Sequence, residues 1–206
     1  YDNDLGNYGI RGVCEGVKNN DTLQFLNLAG TKLEGVEGGE ILKDMMLKNT
    51  SLTHLNLWNN KLGDEGVKAM FDGIEATLSL EYMSLGNNGI GEVGGRCVAE
   101  MLMKNTSLTD IHLEGNKIGN EGGEAFARVI SSSTSLHDLY LSNCGIGEKV
   151  SEDIFRCLKK NTSLVTFIYY GNGVNERCVE LLKENKYLVN IEMPEKAENW
   201  DWIEER

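Results

Sequence analysis

A short motif returns at a nearly fixed interval along this chain, and that interval limits the folds the chain can adopt. In one copy, Leu52 to Leu62, the motif reads Leu-x-x-Leu-x-Leu-x-x-Asn-x-Leu. Successive copies begin at Leu23, Leu52, Leu80, Leu108, Leu136, Leu164 and Leu188. These starting positions lie 29, 28, 28, 28, 28 and 24 residues apart. A period of this length predicts a stack of similar units rather than one globular core.

Each unit has the pattern of a short strand followed by a helix. The Leu-x-Leu part alternates with a period of two, which predicts a half-buried strand. Further on, Phe126, Val129 and Ile130 fall on one helical face. One such unit cannot bury its own apolar side, so the units must stack with parallel strands joined by helices. Two residue types recur at fixed places: an asparagine expected to bind the backbone where each strand ends, and an early-helix glycine expected to allow close packing, at Gly38, Gly66, Gly94 and Gly122.

This pattern resembles the leucine-rich repeat of the ribonuclease-inhibitor type. The 28-residue period, the strand motif and the helix starts Gly63–Gly66 and Gly119–Gly122 all match that family. The resemblance implies an α/β solenoid, a curved horseshoe with parallel strands on its concave face and helices on its convex face. We expect the repeat array to occupy residues 1–194 and to be truncated at its N-terminal end, as part of a longer chain.

The last residues, 195–206, depart from the repeat and are expected to form an acidic C-terminal tail or cap. Solenoid ends expose an apolar edge that needs covering. Trp200 and Ile203 are three residues apart and could fold over the last repeat. The alternative is an acidic helix that binds a partner.

Composition argues against several classes of function. The chain has 20 Lys+Arg against 32 Asp+Glu, a net charge of −12, which disfavours nucleic acid as a partner. No apolar run approaches the roughly 18 residues of a membrane span, and no signal peptide is visible, so no membrane association is expected. Five cysteines without a Cys-x-x-Cys pair indicate free thiols and a cytoplasmic location.

No motif in the sequence indicates catalysis, a metal or a cofactor. The three histidines lack metal-ligand spacing, and no nucleophile–base motif is present, so we expect a protein that is not an enzyme. Three glycosylation-like sequences begin at Asn49, Asn105 and Asn161. We interpret these asparagines as helix caps in the left-handed conformation.

The side chains that alternate with the buried leucines point onto the concave sheet surface, called the open face from here on. Many of them are aromatic or acidic, although Thr166 and Ile168 occupy equivalent outward positions. Aromatic side chains are common at binding hot spots, although strands also favour them for packing. The candidate partner-binding residues are Phe25, His54, Trp58, Tyr82, Asp110, His112, Glu114, Asp138, Tyr140 and Tyr170. They predict a non-catalytic scaffold for protein binding, whose partner carries basic and apolar contact residues.

The repeats are similar to those of the NOD-like receptors, in which such arrays serve sensing or autoinhibition, and this similarity accords with an interaction module. Two other functions stay open. The repeats also resemble the array of tropomodulin, which implies a domain that regulates actin. A third similarity, to the Ran GTPase-activating protein, implies a regulator of a small GTPase.

Overall fold

The computed structural model describes residues 3–72 and 79–193, and the expected tail at 195–206 lies outside this part of the chain. Helices and strands alternate throughout the described residues. In chain order they are α1 Gly6–Val17, β1 Phe25–Asn27, α2 Gly35–Lys48, β2 His54–Asn56, α3 Gly63–Phe71, β3 Tyr82–Ser84, α4 Glu92–Lys104, β4 Asp110–His112, α5 Gly119–Ser132, β5 Asp138–Tyr140, α6 Glu148–Leu158, β6 Thr166–Ile168, α7 Glu176–Lys183 and β7 Asn190–Glu192.

The seven strands form one parallel sheet in the order β1 to β7. Equivalent repeat positions face each other across every pair, as in the register of Leu55 with Met83 and of Met83 with Ile111. Each helix packs against the helices of the neighbouring repeats. The predicted α/β leucine-rich repeat solenoid is therefore confirmed.

The core is a set of apolar rows that run from repeat to repeat. The central strand residues Leu55, Met83, Ile111, Leu139 and Phe167 form one such row and are fully buried. Apolar helix positions such as Met70, Val98, Phe126 and Ile154 are also fully buried. Because each unit covers the apolar side of the next, the core is continuous along the stack.

A buried row of asparagines joins consecutive repeats where the strands end. Asn116 Oδ1 accepts hydrogen bonds from the backbone N–H groups of Asn88 and Ile90, both at 3.0 Å. Its Nδ2 donates to the carbonyl oxygens of Leu85 at 2.9 Å and Leu113 at 2.7 Å. One side chain thus satisfies four backbone groups in two repeats, as expected for buried polar groups. The predicted role of this position is confirmed, and we call the row the asparagine ladder.

In a second set of polar contacts, a side chain of one repeat caps the start of the helix in the next repeat. Asp64 Oδ1, at the start of α3, accepts from the N–H groups of Gly91 at 2.5 Å and Gly94 at 3.0 Å at the start of α4. Asn120 likewise accepts from the N–H of Gly147 at 2.8 Å. A Cβ on Gly94 would lie 2.6 Å from the same Asp64 oxygen. The glycine that recurs early in each helix therefore permits close contact between repeats, as predicted.

The capping asparagines correct one detail of the sequence interpretation. Asn49 has φ −82° and ψ 129°, and Asn105 has φ −83° and ψ 134°, so both are extended rather than left-handed. The side chain makes the turn instead: Asn49 Oδ1 accepts from the N–H groups of Ser51 at 3.0 Å and Leu52 at 2.7 Å. This Asx-type turn leads the chain from helix to strand and buries the asparagine.

Candidate functional site

Five rings stack across five consecutive strands on the open face. They belong to Phe25, His54, Tyr82, His112 and Tyr140. The ring centroids are separated in turn by 4.2, 5.6, 5.1 and 3.7 Å. We call this row the ring ladder. The two middle distances lie in the range that aromatic pairs favour, and the two outer ones are shorter, so the rings form one continuous stack.

Between β3 and β4 the ring ladder moves from one row of outward strand positions to the next row. The register partner of Tyr82 is Asp110, whereas that of His112 is the small, buried Ser84. The ring of Tyr82 therefore stacks diagonally on His112, and this pair has the largest interplanar angle of the ladder, 51°. This diagonal contact keeps the stack continuous, although the row that contains Tyr82 continues with Asp110 and Asp138.

His112 is held between two carboxylates of its own strand. Its Nε2 lies 3.2 Å from Asp110 Oδ1, and its Nδ1 lies 3.5 Å from Glu114 Oε1. The three residues share a face because side chains alternate along a strand. Burial alone lowers the pKa of His112, but its close interactions with the two carboxylates outweigh burial and raise the pKa to about 9. His112 is therefore positively charged at neutral pH.

Trp58 lies against a gap that a glycine leaves in the open face. A Cβ on Gly86 would lie 2.7 Å from Trp58 Cδ1 and 3.2 Å from Glu114 Cδ. The absence of a side chain at Gly86 thus lets the indole approach the backbone closely. The indole side chain stays 38% exposed, so it is both packed and accessible.

A hollow of about 580 Å³ lies beside the C-terminal end of the ring ladder. Its walls include Glu114, Tyr140, Ser142, Tyr170 and Glu192, and we call it the acidic hollow. Ser142 is 1% exposed, and its Oγ has no hydrogen-bond partner. Glu114 Oε2 is also buried without one. Both residues line the hollow, and the fold leaves these two atoms without hydrogen-bond partners.

All ten predicted site residues lie on strands or strand ends of the same sheet, and the structure divides them into groups. Five of them form the ring ladder, Asp110 and Glu114 flank His112, and Asp138 lies opposite Asp110 in register. Trp58 packs separately on Gly86, and Tyr170 lines the acidic hollow. Phe25, Trp58 and Tyr170 are exposed, whereas Tyr82 and Tyr140 are half-buried because neighbouring rings cover them.

Two outward positions differ from expectation. Thr166 and Ile168 are buried, at 6% and 8% exposure, and they form part of the floor of the acidic hollow. Ile168 lies in register between the larger Tyr140 and Glu192, which shield it from solvent.

The sequence interpretation missed three residues of this face. The candidates did not include Gly86, Ser142 or Glu192. Gly86 adjoins Trp58, and Ser142 adjoins Tyr170, at equivalent positions of neighbouring repeats. The sequence contained a signal for Gly86 and Ser142, because small and large residues alternate at their repeat position: Ala29, Trp58, Gly86, Glu114, Ser142 and Tyr170.

The cysteines do not offer a reactive thiol. All five are free, and burial raises the pKa of Cys14 and of Cys144 to about 12. Within residues 3–72 and 79–193, no cluster of three histidine, cysteine or acidic side chains could hold a metal ion. In the same residues no helix has the length and apolar character that crossing a bilayer requires.

Family models decide what kind of repeat this is. Models described as leucine-rich repeat match residues 48–71, 104–127 and 135–157, each covering most of one strand–helix unit of this fold. These matches confirm the predicted resemblance to leucine-rich repeats in the matched segments.

Curated relatives of this leucine-rich repeat chain match it over about a third of its length. It is 39% identical over 69 residues to "NACHT, LRR and PYD domains-containing protein 14" of Mus musculus, which covers 33% of the chain. It is 38% identical over 74 residues to protein 3 of the same series in Homo sapiens, which covers 35% of the chain. The matched part spans only 7% of either relative.

Solved structures give more distant likenesses. The "Leiomodin-1 Actin-Binding Site 2 (ABS2)" structure has a TM-score of 0.49 at 20% identity, over 84% of this leucine-rich repeat chain and 86% of that chain. The tropomodulin C-terminal domain of Caenorhabditis elegans has a TM-score of 0.48 at 18% identity, over 85% and 92% of the two chains. No functional conclusion follows from likenesses at this level.

Proposed function

We propose that this leucine-rich repeat chain is a non-catalytic interaction module that binds a protein partner on its open face, in the cytoplasm. The observation that carries the proposal is the ring ladder together with Trp58. Phe25 is 63% exposed and Trp58 is 38% exposed, and both lie on the open face, outside the buried core. Aromatic side chains that are both rigid and accessible are typical anchors of protein interfaces.

The charges of the open face support a basic partner. Asp110 and Asp138 lie directly opposite each other on adjacent strands. Like charges in this arrangement destabilise a sheet, so the fold itself gains nothing from the pair. Basic side chains of a partner would relieve that repulsion while its apolar side chains cover the rings. The expected partner therefore combines basic and apolar contact residues.

The relatives support the proposal that the chain is part of a longer protein. Their printed names join repeats of this kind to NACHT and PYD domains. The chain spans about 7% of their length, and we propose by analogy that it serves as the recognition part of a larger polypeptide.

Capture of partners with surface variants tests the proposal. The test variant carries Phe25→Ser and Trp58→Ser, which remove two exposed anchors and leave the acidic hollow intact. The matched control carries Val93→Ser and Met103→Ser, which remove two exposed apolar side chains from α4. We expect proteins captured from a cytosolic extract by the wild type to be lost with the first variant and kept with the second, as measured by quantitative mass spectrometry.

Equal capture by the wild type and the Phe25→Ser/Trp58→Ser variant would contradict the proposal. Both variants must first be shown by circular dichroism to be folded at the assay temperature. Two purified assays address the alternatives: elongation at actin pointed ends and GTP turnover by a small GTPase. A strong effect of the wild-type chain in either assay would replace the general proposal with that specific function.

A further inference from the structure

The acidic hollow contains polar atoms that the folded chain leaves without partners. Ser142 is almost completely buried, yet its hydroxyl makes no hydrogen bond. Glu114 uses Oε1 to contact His112, whereas its buried Oε2 makes no hydrogen bond. A buried, unsatisfied polar atom is costly, and a charged one more so. A ligand that donates to both atoms would remove this cost on binding.

The electrostatics of the hollow favour a cation. Glu114 and Glu192 line it, Asp110 contacts the lining residue His112, and Asp138 lies in register with the lining residue Thr166. The positively charged His112 also lines the hollow, where it already contacts Asp110 and Glu114. The pKa of Tyr140 is raised, first by burial and then by the charges of Asp110, Asp138 and Glu114. The same carboxylates therefore act on a residue that lines the hollow.

The shape and walls of the hollow distinguish between cations. A volume of about 580 Å³ accommodates a long side chain rather than a single ion. Tyr140 and Tyr170 supply aromatic walls, and Tyr170 is 42% exposed. A guanidinium group is planar, stacks on aromatic faces and donates several hydrogen bonds in a fork. The ammonium group of lysine offers a point charge without a stacking surface.

We propose that the acidic hollow binds an arginine side chain of the protein partner, with the guanidinium donating to Glu114 Oε2 and Ser142 Oγ beside Tyr170. This inference rests on the proposed function, because it names one side chain of the partner that the open face recognises. The arginine supplies the donors that both atoms lack and adds positive charge where carboxylates dominate. The ring ladder then contacts apolar parts of the same partner.

A peptide titration followed by NMR tests the proposal without knowledge of the partner. The probes are the blocked tripeptide Ac-Gly-Arg-Gly-NH₂ and its counterpart with citrulline, which has nearly the same shape but no charge. We expect saturable amide shifts around Ser142 and Tyr170 with the arginine peptide, and affinity at least about tenfold weaker with citrulline. Equal affinity for the two peptides, or shifts confined to other surfaces, would overturn the proposal.

Variants of the chain identify the atoms that bind. We expect Glu114→Gln to weaken the arginine peptide about tenfold and Ser142→Ala about threefold, because each removes one acceptor. The control is Glu65→Gln, which removes an exposed carboxylate at the start of α3. Unchanged affinity in both hollow variants would overturn the proposal. Since Glu114 also contacts His112, Ser142→Ala and the citrulline arm provide an answer even if Glu114→Gln fails to fold.

The two proposals fail in different ways. If the arginine and citrulline peptides bind alike while Phe25→Ser/Trp58→Ser loses its captured proteins, the hollow is wrongly assigned and the open-face proposal stands. If the arginine peptide binds as expected while the captured proteins are insensitive to the open-face variant, the general proposal fails and the hollow remains a cation site.

Discussion

The asparagine ladder and the ring ladder both cross the stack at the repeat interval, but they differ in how far their polar groups are satisfied. Asn116 alone makes four hydrogen bonds to the backbone of two repeats. Beside the ring ladder, Ser142 Oγ and Glu114 Oε2 make none. Buried polar groups that are fully satisfied hold a fold together, whereas an unsatisfied one destabilises the fold unless a ligand supplies the missing partner. On this basis we expect the asparagine ladder to build the solenoid, and we propose Ser142 and Glu114 as candidates for binding.

The asparagine ladder is interrupted between Asn116 and Asn172. Cys144 occupies an asparagine position, and its thiol donates to the carbonyl oxygen of Leu113 at 3.4 Å. Its own N–H still donates to Asn172 Oδ1 at 3.1 Å, so the next rung is retained. A thiol is a weak donor and acceptor, which makes this rung weaker than the four bonds of Asn116. The fold tolerates one such rung among intact neighbours.

The largest expected effect comes from breaking the asparagine ladder at its best-satisfied rung. Asn116→Ala leaves the buried N–H groups of Asn88 and Ile90 without an acceptor and removes one of the two donors to the carbonyl oxygens of Leu85 and Leu113. We expect it to lower the free energy of unfolding by roughly 2–4 kcal/mol. The control, Lys117→Ala, changes the exposed neighbour and should have little effect. Chemical denaturation measures both. A loss below about 1 kcal/mol for Asn116→Ala would mean that the ladder is not structural.

The charged histidine of the ring ladder gives the next largest effect. The pKa of His112 is raised from 6.5 to about 9, so its stabilising contribution is complete below pH 6.5 and is lost as the pH rises through about 9. We expect the stability difference between wild type and His112→Gln to shrink by about 1–2 kcal/mol over that range, because solvent partly screens the site.

Two measurements check the histidine. Chemical denaturation of both chains at pH 6 and at pH 10 gives the stability difference, and NMR gives the titration of the ring directly. The variants Asp110→Asn and Glu114→Gln should each lower the pKa of His112. A ring that titrates near 6.5 in the wild type would contradict the ion pairs on which this prediction depends.

A somewhat smaller effect is expected where one repeat caps the helix of the next. Asp64→Ala removes the acceptor for the N–H groups of Gly91 and Gly94, and loss of a cap costs about 1 kcal/mol. Glu65→Ala is the matched control, since Glu65 lies in the same helical turn and is exposed. Equal stability of the two variants would show that this contact between repeats is dispensable.

The sequence predicted the buried rows that build the fold much better than the contacts of the outward side chains on the open face. The period placed Leu55, Met83 and Ile111 in one buried row and the ladder asparagines at strand ends, because each repeat imposes the same surroundings on the same position. Which outward residues stack, and which hydroxyl has no partner, depends on neighbours that differ from repeat to repeat. The diagonal contact of Tyr82 with His112 arises because Asp110 lies opposite Tyr82 and Ser84 lies opposite His112. The pattern that the repeats share does not predict this combination.

The smallest effect is expected at the exposed end of the ring ladder, and it tests whether that ladder belongs to the fold at all. Phe25 stacks on His54 at a centroid distance of 4.2 Å but is 63% exposed. One partly solvated aromatic pair contributes about 0.5–1 kcal/mol, so Phe25→Ser should lower the free energy of unfolding by no more than that. Chemical denaturation provides the value, with Phe25→Leu as the control that keeps apolar contact. A loss above about 2 kcal/mol would move the ring ladder to the structural side of the comparison and remove the main reason to expect a partner on the open face.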